Sequence, residues 1–463
     1  MKPLHIQETI YDPELPQMGE LINASRMREV MEREIIARRG MGSLYRIDAC
    51  QIVRVKYRPI SNCLITYRLK ITNYKANAQS SLLITVLACV RGESLPLFRS
   101  AQHQPISPTL LNDGVFHLPG LESVAWVFPN DRKLPGLPAL VDPEGRTVEG
   151  LLDIVASAFG EQWVIDEWTS EVAQYAAESS CTTRVNLKLR NQQTGSCETH
   201  VIFGKTYCID QAERTWRVLK HLYESDAARQ GSRLFPQPFA YQPEINTIWQ
   251  TGVEGISLGE FYRDATSFPE YVNKCSSVIA TLHQIQTPFA DLITRGEIIS
   301  RLTRAAKIIS HVRPLCRKQL QSILKHLIDL SSVMGEQPVC TLHGDLHLKN
   351  ILVTNDGIVL IDLDDLCRGD PLQDAGSFIA ALHYRGKIEG RSFRETEEIS
   401  RLFIQGYRTN IDSQVSESVL NWHIASALIY ERAYRCVTRL KEVRVEIIDE
   451  IIEMAGGFCR GKM

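Results

Sequence analysis

TLHGDLHLKNILVTNDGIVLIDLDDLCRGDPLQD, spanning Thr341–Asp374, is the stretch around which the rest of the chain is organised. A polar cluster, His343-Gly344-Asp345-Leu346-His347-Leu348-Lys349-Asn350, leads into the apolar run Ile351-Leu352-Val353. A turn at Asn355-Asp356-Gly357 follows, then a second apolar run, Ile358–Ile361, and a burst of carboxylates from Asp362. Two short apolar runs joined by an Asp-Gly turn predict a β-hairpin. Antiparallel partners meet at their open ends, so the hairpin brings Asn350 close to Asp362.

An amide oxygen and a carboxylate at one place, with water and phosphate oxygens completing the shell, form the sparse protein coordination that Mg²⁺ uses at nucleotide sites. Asp345 stands five residues before Asn350. That is the Asp-x-x-x-x-Asn spacing of a kinase catalytic loop, in which the Asp accepts the proton of an attacking hydroxyl. An Asx-rich turn would account for residues 355–357, but it gives no reason for His-Gly-Asp, Asn350 and Asp362 to occur in this order.

His343–Asn350 and Ile361–Asp365 resemble the His-Gly-Asp-x-His-x-x-Asn loop and Ile-Asp-x-x-Asp segment of the aminoglycoside phosphotransferase and choline kinase group of small-molecule kinases. Leu348-Lys349 replaces the Pro-Gly of many members and leaves the acid, the amide and their spacing intact. The resemblance implies an α+β, bilobal protein-kinase-like fold, with an antiparallel-sheet N-lobe and a helical C-lobe. It implies ATP and Mg²⁺ as cofactors and a small hydroxylated molecule as acceptor. Asp345 would be catalytic, and Asn350 and Asp362 would hold the metal. His343 would brace the loop, and Asp374 would tie the helical lobe to it.

The whole chain is compatible with this. At 463 residues two or three domains are expected. Hydrophobic residues at 44% and charged residues at 23% are ordinary globular values, and a net charge of −2 gives no polyanion-binding surface, so nucleic acid is not expected as a partner. Twelve scattered cysteines without a Cys-x-x-Cys read as reduced core thiols. The start MKPLHIQETIYDPELP has acids and prolines where a signal peptide needs an apolar core, and no apolar run reaches the ~20 residues that span a bilayer. A cytoplasmic protein without a membrane association is the expectation.

In chain order, Asn23 or Ser25 caps a helix that runs to about Arg38 and is stopped by Gly40-Met41-Gly42. Strands follow at Ile52–Tyr57, Cys63–Ile71 and Ser81–Val90. The pattern recurs: Tyr57, Cys63 and Leu69-Lys70 are matched by Tyr175, Cys181 and Leu187-Lys188, 118 residues on (175 against 57). Three segments are therefore expected: an α+β cap domain with its connector at 1–145, a kinase-like N-lobe at 146–252, and a helical C-lobe at 253–463. The connector Trp126–Leu137, punctuated by Pro and Gly, packs through its aromatics and is given no chemistry.

Only the second copy carries a cation after its third strand. Lys205 stands where a kinase lysine reaches the nucleotide phosphates, whereas the first copy has Leu87-Ala88-Cys89. Glu213 either pairs with Lys205 or forms a capping box with Asp210. The turn Ala176-Ala177-Glu178-Ser179-Ser180 lacks phosphate-gripping glycines, so Ser179 and Ser180 are the candidate donors to phosphate, with Glu178 electrostatically awkward beside them. By the family layout, Thr251 and Val253 fall in the hinge that would meet the adenine edge.

Five acids (Asp362, Asp364, Asp365, Asp370, Asp374) face a single Arg368 over this stretch. Such an excess would suit a cationic acceptor, such as an aminoglycoside or choline, as well as a solvated loop. The leading expectation is an ATP- and Mg-dependent phosphotransferase acting on an aminoglycoside, sugar or amino-alcohol. The alternatives are a catalytically silent nucleotide-binding regulator and a protein kinase, the latter disfavoured because no Ala-Pro-Glu sequence follows Asp362.

Overall fold

The computed structural model describes residues 12–461 apart from 112, 142–145, 209–210, 226–233 and 412–414. The chain is α+β, with antiparallel sheets in its N-terminal part and a helical C-terminal part. It divides into two compact units. One comprises 1–212, 240–249 and 438–442, and the other 213–239, 250–437 and 443–463.

The first unit holds the same sheet twice. β1 (Tyr45–Arg58), β2 (Asn62–Asn73), β3 (Ala78–Cys89), β4 (Val115–Leu118) and β5 (Ser123–Val127) lie in the order β1-β2-β3-β5-β4. β6 (Trp163–Ala176), β7 (Ser180–Asn191), β8 (Cys197–Tyr207), β9 (Pro238–Gln242) and β10 (Thr247–Thr251) lie in the order β6-β7-β8-β10-β9. Tyr57 faces Cys63 across the first hairpin, and Tyr175 faces Cys181 across the second. The first β-bulge falls between Ile47 and Ala49 in one copy and between Ile165 and Glu167 in the other, so the 118-residue offset holds at both ends of the hairpin. The third strands obey it too, with Leu64 opposite Leu87 and Thr182 opposite Lys205. Helices then begin at Ser94 and at Ala212.

The repeat also covers a motif that the sequence reading passed over: Asp-x-x-Leu-Pro at 12–16 and again at 131–135. The Asp12 carboxylate accepts from the Tyr57 hydroxyl at 2.7 Å and from the Ile60 N–H at 2.9 Å. Asp131 accepts from the Tyr175 hydroxyl and the Glu178 N–H at the same two distances. Both donor turns place a non-glycine residue in the left-handed region, Ile60 at φ 67° and Glu178 at φ 58°. A carboxylate that satisfies an otherwise orphaned turn N–H holds a conformation L-residues rarely adopt.

Asn23 caps the first helix, accepting from the N–H groups of Ser25 and Arg26. The expected single helix to Arg38 is instead α-helical over Ala24–Met31, widens into a π turn at Glu32–Ile36, tightens over Ala37–Arg39 and ends at left-handed Gly40. One cluster on the first sheet packs Leu64, Leu87, Val124 and Trp126 with Ala177 and Tyr175 of the second hairpin, and Leu97 and Phe98 pack against it. The two sheets thereby share a core, and burying such side chains stabilises by about 2 kcal/mol each.

In the second unit, long helices at Ser267–Gln284, Arg295–Val312, Arg317–Val333, Leu372–Glu389 and Phe393–Arg408 surround short strands. β11 (Ile256–Ser257) adds to the predicted hairpin of β13 (Ile351–Thr354) and β14 (Gly357–Leu360), and β12 (Cys340–Leu342) pairs with β15 (Cys367–Gly369). The helix expected over 415–441 is α-helical from Glu417 to Ala427, opens into a π turn at Leu428–Ala433 and closes with Tyr434–Thr438. A π turn lets one extra residue into the helix and redirects the side chains after it.

Candidate functional site

Two strand pairings clamp the polar loop from both ends. Upstream, Leu342 of β12 pairs with Cys367 of β15. Downstream, Ile351 pairs with Leu360, and the Ile361 N–H donates to the Asn350 carbonyl at 2.9 Å. Asp362 follows directly, as the hairpin predicted. It takes φ 60° and ψ 53°, a left-handed conformation that non-glycine residues adopt uncommonly and that Asp tolerates better than most.

Within the loop, His343 bonds through Nε2 to the Ile361 carbonyl at 3.0 Å, the bracing role expected of it. Gly344 has φ 81°, and a Cβ there would lie 2.0 Å from the Asp365 carbonyl oxygen. The glycine therefore allows the loop to lie directly against the segment after Asp362. Asn350, buried, donates its amide N–H to the Asp345 carbonyl at 3.0 Å, which leaves its amide oxygen as the atom that would face a cation.

Asp374, in the first turn of helix Leu372–Glu389, is fully buried. Its carboxylate accepts the His343 N–H at 2.6 Å and the Gly344 N–H at 3.1 Å, with His283 Nε2 at 3.3 Å. Burial alone would raise its pKa, but His283, His343 and the backbone N–H together hold it below the usual value. Tyr407 closes the chain of contacts through its hydroxyl, 2.7 Å from His283 Nδ1.

Asp345 is the residue that the sequence motif marks as catalytic. Arg435 Nη2 donates to its Oδ1 at 3.1 Å, and His347 Nε2 lies 3.6 Å from Oδ2. Burial pushes the Asp345 pKa up, and Arg435, His347 and Arg432 more than offset it, so the group is held below the usual carboxylate range. Burial also drives His347 down to about 4, against the partial opposition of Asp345, and keeps its ring neutral at pH 7. Arg432 and Arg435 were missed in the sequence. Their signal was Glu431-Arg432-Ala433-Tyr434-Arg435, the only Asp, Glu, Lys or Arg side chains in the stretch from Val419 to Val437 being Glu431, Arg432 and Arg435.

Of the five acids after the hairpin, Asp370 accepts from the Leu372 N–H at 2.9 Å and pairs with buried His423 at 3.1 Å. Asp374 is internal as described. The acidic face expected from the sequence thus reduces to Asp362, Asp364 and Asp365.

In the first unit, Lys205 lies near the end of β8 with its ammonium 5.5 Å from the Tyr207 ring centroid. The turn Ala176–Ser180 is held closed by a Ser179 N–H to Ala176 carbonyl bond of 2.9 Å, and Ser180 begins β7. Glu178 is not electrostatically stranded there. Arg132 donates to its Oε1 from Nε and Nη2, both at 2.8 Å, and Lys133 lies 3.5 Å from its other oxygen. The connector, given no chemistry from the sequence, supplies the counter-charges of this turn. The equivalent positions in the first copy are Pro13, Glu14 and Ile60, so the cluster belongs to the Lys205-bearing copy alone.

In the second unit, Glu213 pairs with Arg217 one helical turn on, at 2.5 Å. Asp210, its alternative capping partner, lies outside the described residues. The Thr251 N–H donates to the Gln237 carbonyl at 2.9 Å and its hydroxyl accepts from the Gln237 N–H at 3.0 Å, while Val253 sits in the irregular segment that follows.

Residues 209–409 match the phosphotransferase enzyme family, which bears out the resemblance read from His343–Asp365. No curated protein matches the chain closely. Among solved structures, similar ones include a choline/ethanolamine kinase family protein from Mesorhizobium loti, at 11% identity, covering 67% of this chain and 94% of its own, with a TM-score of 0.45. An aminoglycoside phosphotransferase from Streptomyces rimosus matches at 16% identity over 60% of this chain and 96% of its own, with a TM-score of 0.38. The choline kinase of Streptococcus pneumoniae matches at 13% identity over 67% and 98%, with a TM-score of 0.43. Among the described residues no helix is long and apolar enough to cross a membrane.

Proposed function

We propose that this chain, a small-molecule phosphotransferase by the family match over 209–409, moves the γ-phosphoryl group of ATP onto a hydroxyl of a polar small molecule with the help of Mg²⁺. The observation that carries this reading is that the Asn350 side chain bonds to the Asp345 carbonyl while the Asn350 carbonyl accepts from Ile361, the neighbour of Asp362. The donor set fits a hard cation: the Asn350 amide nitrogen is already committed to the Asp345 carbonyl, and Asp362 brings a carboxylate two residues beyond the paired strand. When bound, Mg²⁺ supplies charge neutralisation at the phosphates.

Asp345 performs the proton step. Held ionised by its low pKa, it accepts the acceptor hydroxyl's proton as the hydroxyl oxygen bonds to the γ-phosphorus. The bond from that phosphorus to the bridging oxygen breaks, and ADP leaves. His343 and Asp374 keep the carboxylate in place through the loop backbone. Lys205 is assigned to the nucleotide phosphates because its copy of the repeat alone has the cation, and Ser179, Ser180, Glu213, Thr251 and Val253 stay with the nucleotide in this reading. Residues 1–145 act as a cap whose sheet serves packing, 146–252 as the N-lobe and 253–463 as the C-lobe. An ATP-using enzyme of this kind works in the cytoplasm.

Calorimetric titration with ATP and Mg²⁺ tests the assignment. Asp362→Ala is expected to abolish Mg²⁺-dependent nucleotide binding, and Asp345→Asn to retain it while losing phosphoryl transfer. Unchanged Mg²⁺ dependence in the Asp362 variant would refute it.

A further inference from the structure

We propose that Arg435 selects the acceptor: its guanidinium takes an oxygen beside the reacting hydroxyl, so the enzyme phosphorylates neutral or acidic polyhydroxylated molecules and rejects cationic amines. The inference deepens the reading of Asp345 as proton acceptor and rests on it.

Three observations lead there. First, Arg435 Nη2 bonds to one Asp345 oxygen at 3.1 Å, and its side chain is 35% exposed. One of five donors on the planar fork is used on Asp345, which leaves others for an oxygen of a bound molecule. The second Asp345 oxygen, 3.6 Å from His347, is beyond hydrogen-bond range of that ring and remains for the proton.

Second, a fixed, buried guanidinium lies behind this contact. Arg432 is buried, donates to the Ser377 carbonyl at 3.3 Å and pairs with Glu431 at 3.0 Å. Its Nε has no hydrogen-bond partner. Glu431 is itself engaged by the Ser377 hydroxyl at 2.8 Å. A buried guanidinium with an unsatisfied N–H is costly, and this one helps to hold Asp345 ionised beside Arg435.

Third, several of the carboxylates that would attract an amine are engaged. Asp345 already has an arginine on it, and Glu431 has one as well. Asp370 and Asp374 point into the fold, on His423 and on the loop backbone. Asp365 also acts on Arg435, and a divalent cation at Asp362 would add further positive charge. An ammonium group brought beside the acceptor hydroxyl at Asp345 would meet Arg435 with no unpaired carboxylate among these to compensate. The cationic acceptor suggested by the acid count of the sequence is thereby disfavoured.

The test uses the full chain with ATP and Mg²⁺ and four acceptor groups: neutral sugars, sugar acids, kanamycin and choline. Turnover is expected with one or both of the oxygen-rich groups. In Arg435→Ala the acceptor KM should rise at least tenfold while ATP affinity by calorimetry stays within twofold, and Arg435→Lys should recover only part of the loss. Preference for kanamycin or choline, absence of turnover throughout the oxygen-rich groups, or an unchanged acceptor KM in Arg435→Ala would each overturn the proposal. Retained transfer in Asp345→Asn would instead refute the underlying assignment of the proton acceptor, so the two failures are distinguishable.

Discussion

The Asp374 carboxylate accepts the backbone N–H of His343 at 2.6 Å, fixing the position of a loop that carries the Asp345 carboxylate two residues further on. Asp374→Ala removes the acceptor for two buried N–H groups and leaves His283 beside a cavity. A loss of about 3–5 kcal/mol in urea unfolding is expected, the usual cost of removing one partner from a buried network.

The same residue sets an acid limit. Its folded pKa is lowered, so its contribution to stability is present above the ordinary carboxylate value and is lost as pH falls through the depressed one. Urea midpoints between pH 6 and pH 3 should drop less steeply below about pH 4 in Asp374→Asn than in the wild type. Equal slopes would place the acid sensitivity elsewhere.

Arg435 should also be visible in a pH profile. It helps the other cations outweigh burial at Asp345, so removing it lets the Asp345 pKa rise. The acidic limb of kcat/KM is expected to move to higher pH in Arg435→Gln, with the plateau reached later. A merely structural role would lower the plateau without moving the limb.

Asp362 gives a stability signature opposite in sign to its functional one. Glycine accepts φ 60° without the Cβ penalty, so Asp362→Gly should fold as well as the wild type or better, by up to about 1 kcal/mol, and lose Mg²⁺-dependent ATP binding. Asp362→Val should be destabilised in the same denaturation assay.

Glu178 and Arg132 form a coupled pair in the Lys205-bearing sheet. Arg132→Ala leaves a buried carboxylate with only Lys133 near it, and should cost about 2–3 kcal/mol. The double variant Arg132→Ala/Glu178→Ala should recover part of that loss, which a double-mutant cycle on urea data reads directly. Additive losses would mean that the pair is not coupled.

The hairpin and the Asn350–Asp362 approach followed from the sequence because they depend on strand periodicity and a tight turn, both local. The repeat was legible for a related reason: strands of the same register keep the same spacing, and Tyr57–Cys63 and Tyr175–Cys181 are register partners. The bracing contacts of His343 and the role of Asp374 came from the family motif, whose spacing implies them.

Contacts between segments far apart in the chain were decided only by tertiary structure. Asp131 reaches Tyr175 and Glu178, and Arg435 reaches Asp345 across 90 residues. Neither has a local pattern, since an ion pair between distant elements constrains two side chains and no periodicity. The redirection after the π turn at Leu428–Ala433 was equally hidden, because an extra residue per turn leaves composition unchanged while rotating everything after it. Acid counting failed for the same reason: Asp370 and Asp374 contribute formal charge to the sequence, but packing turns them inward onto His423 and the loop backbone and takes them out of the field an acceptor would feel.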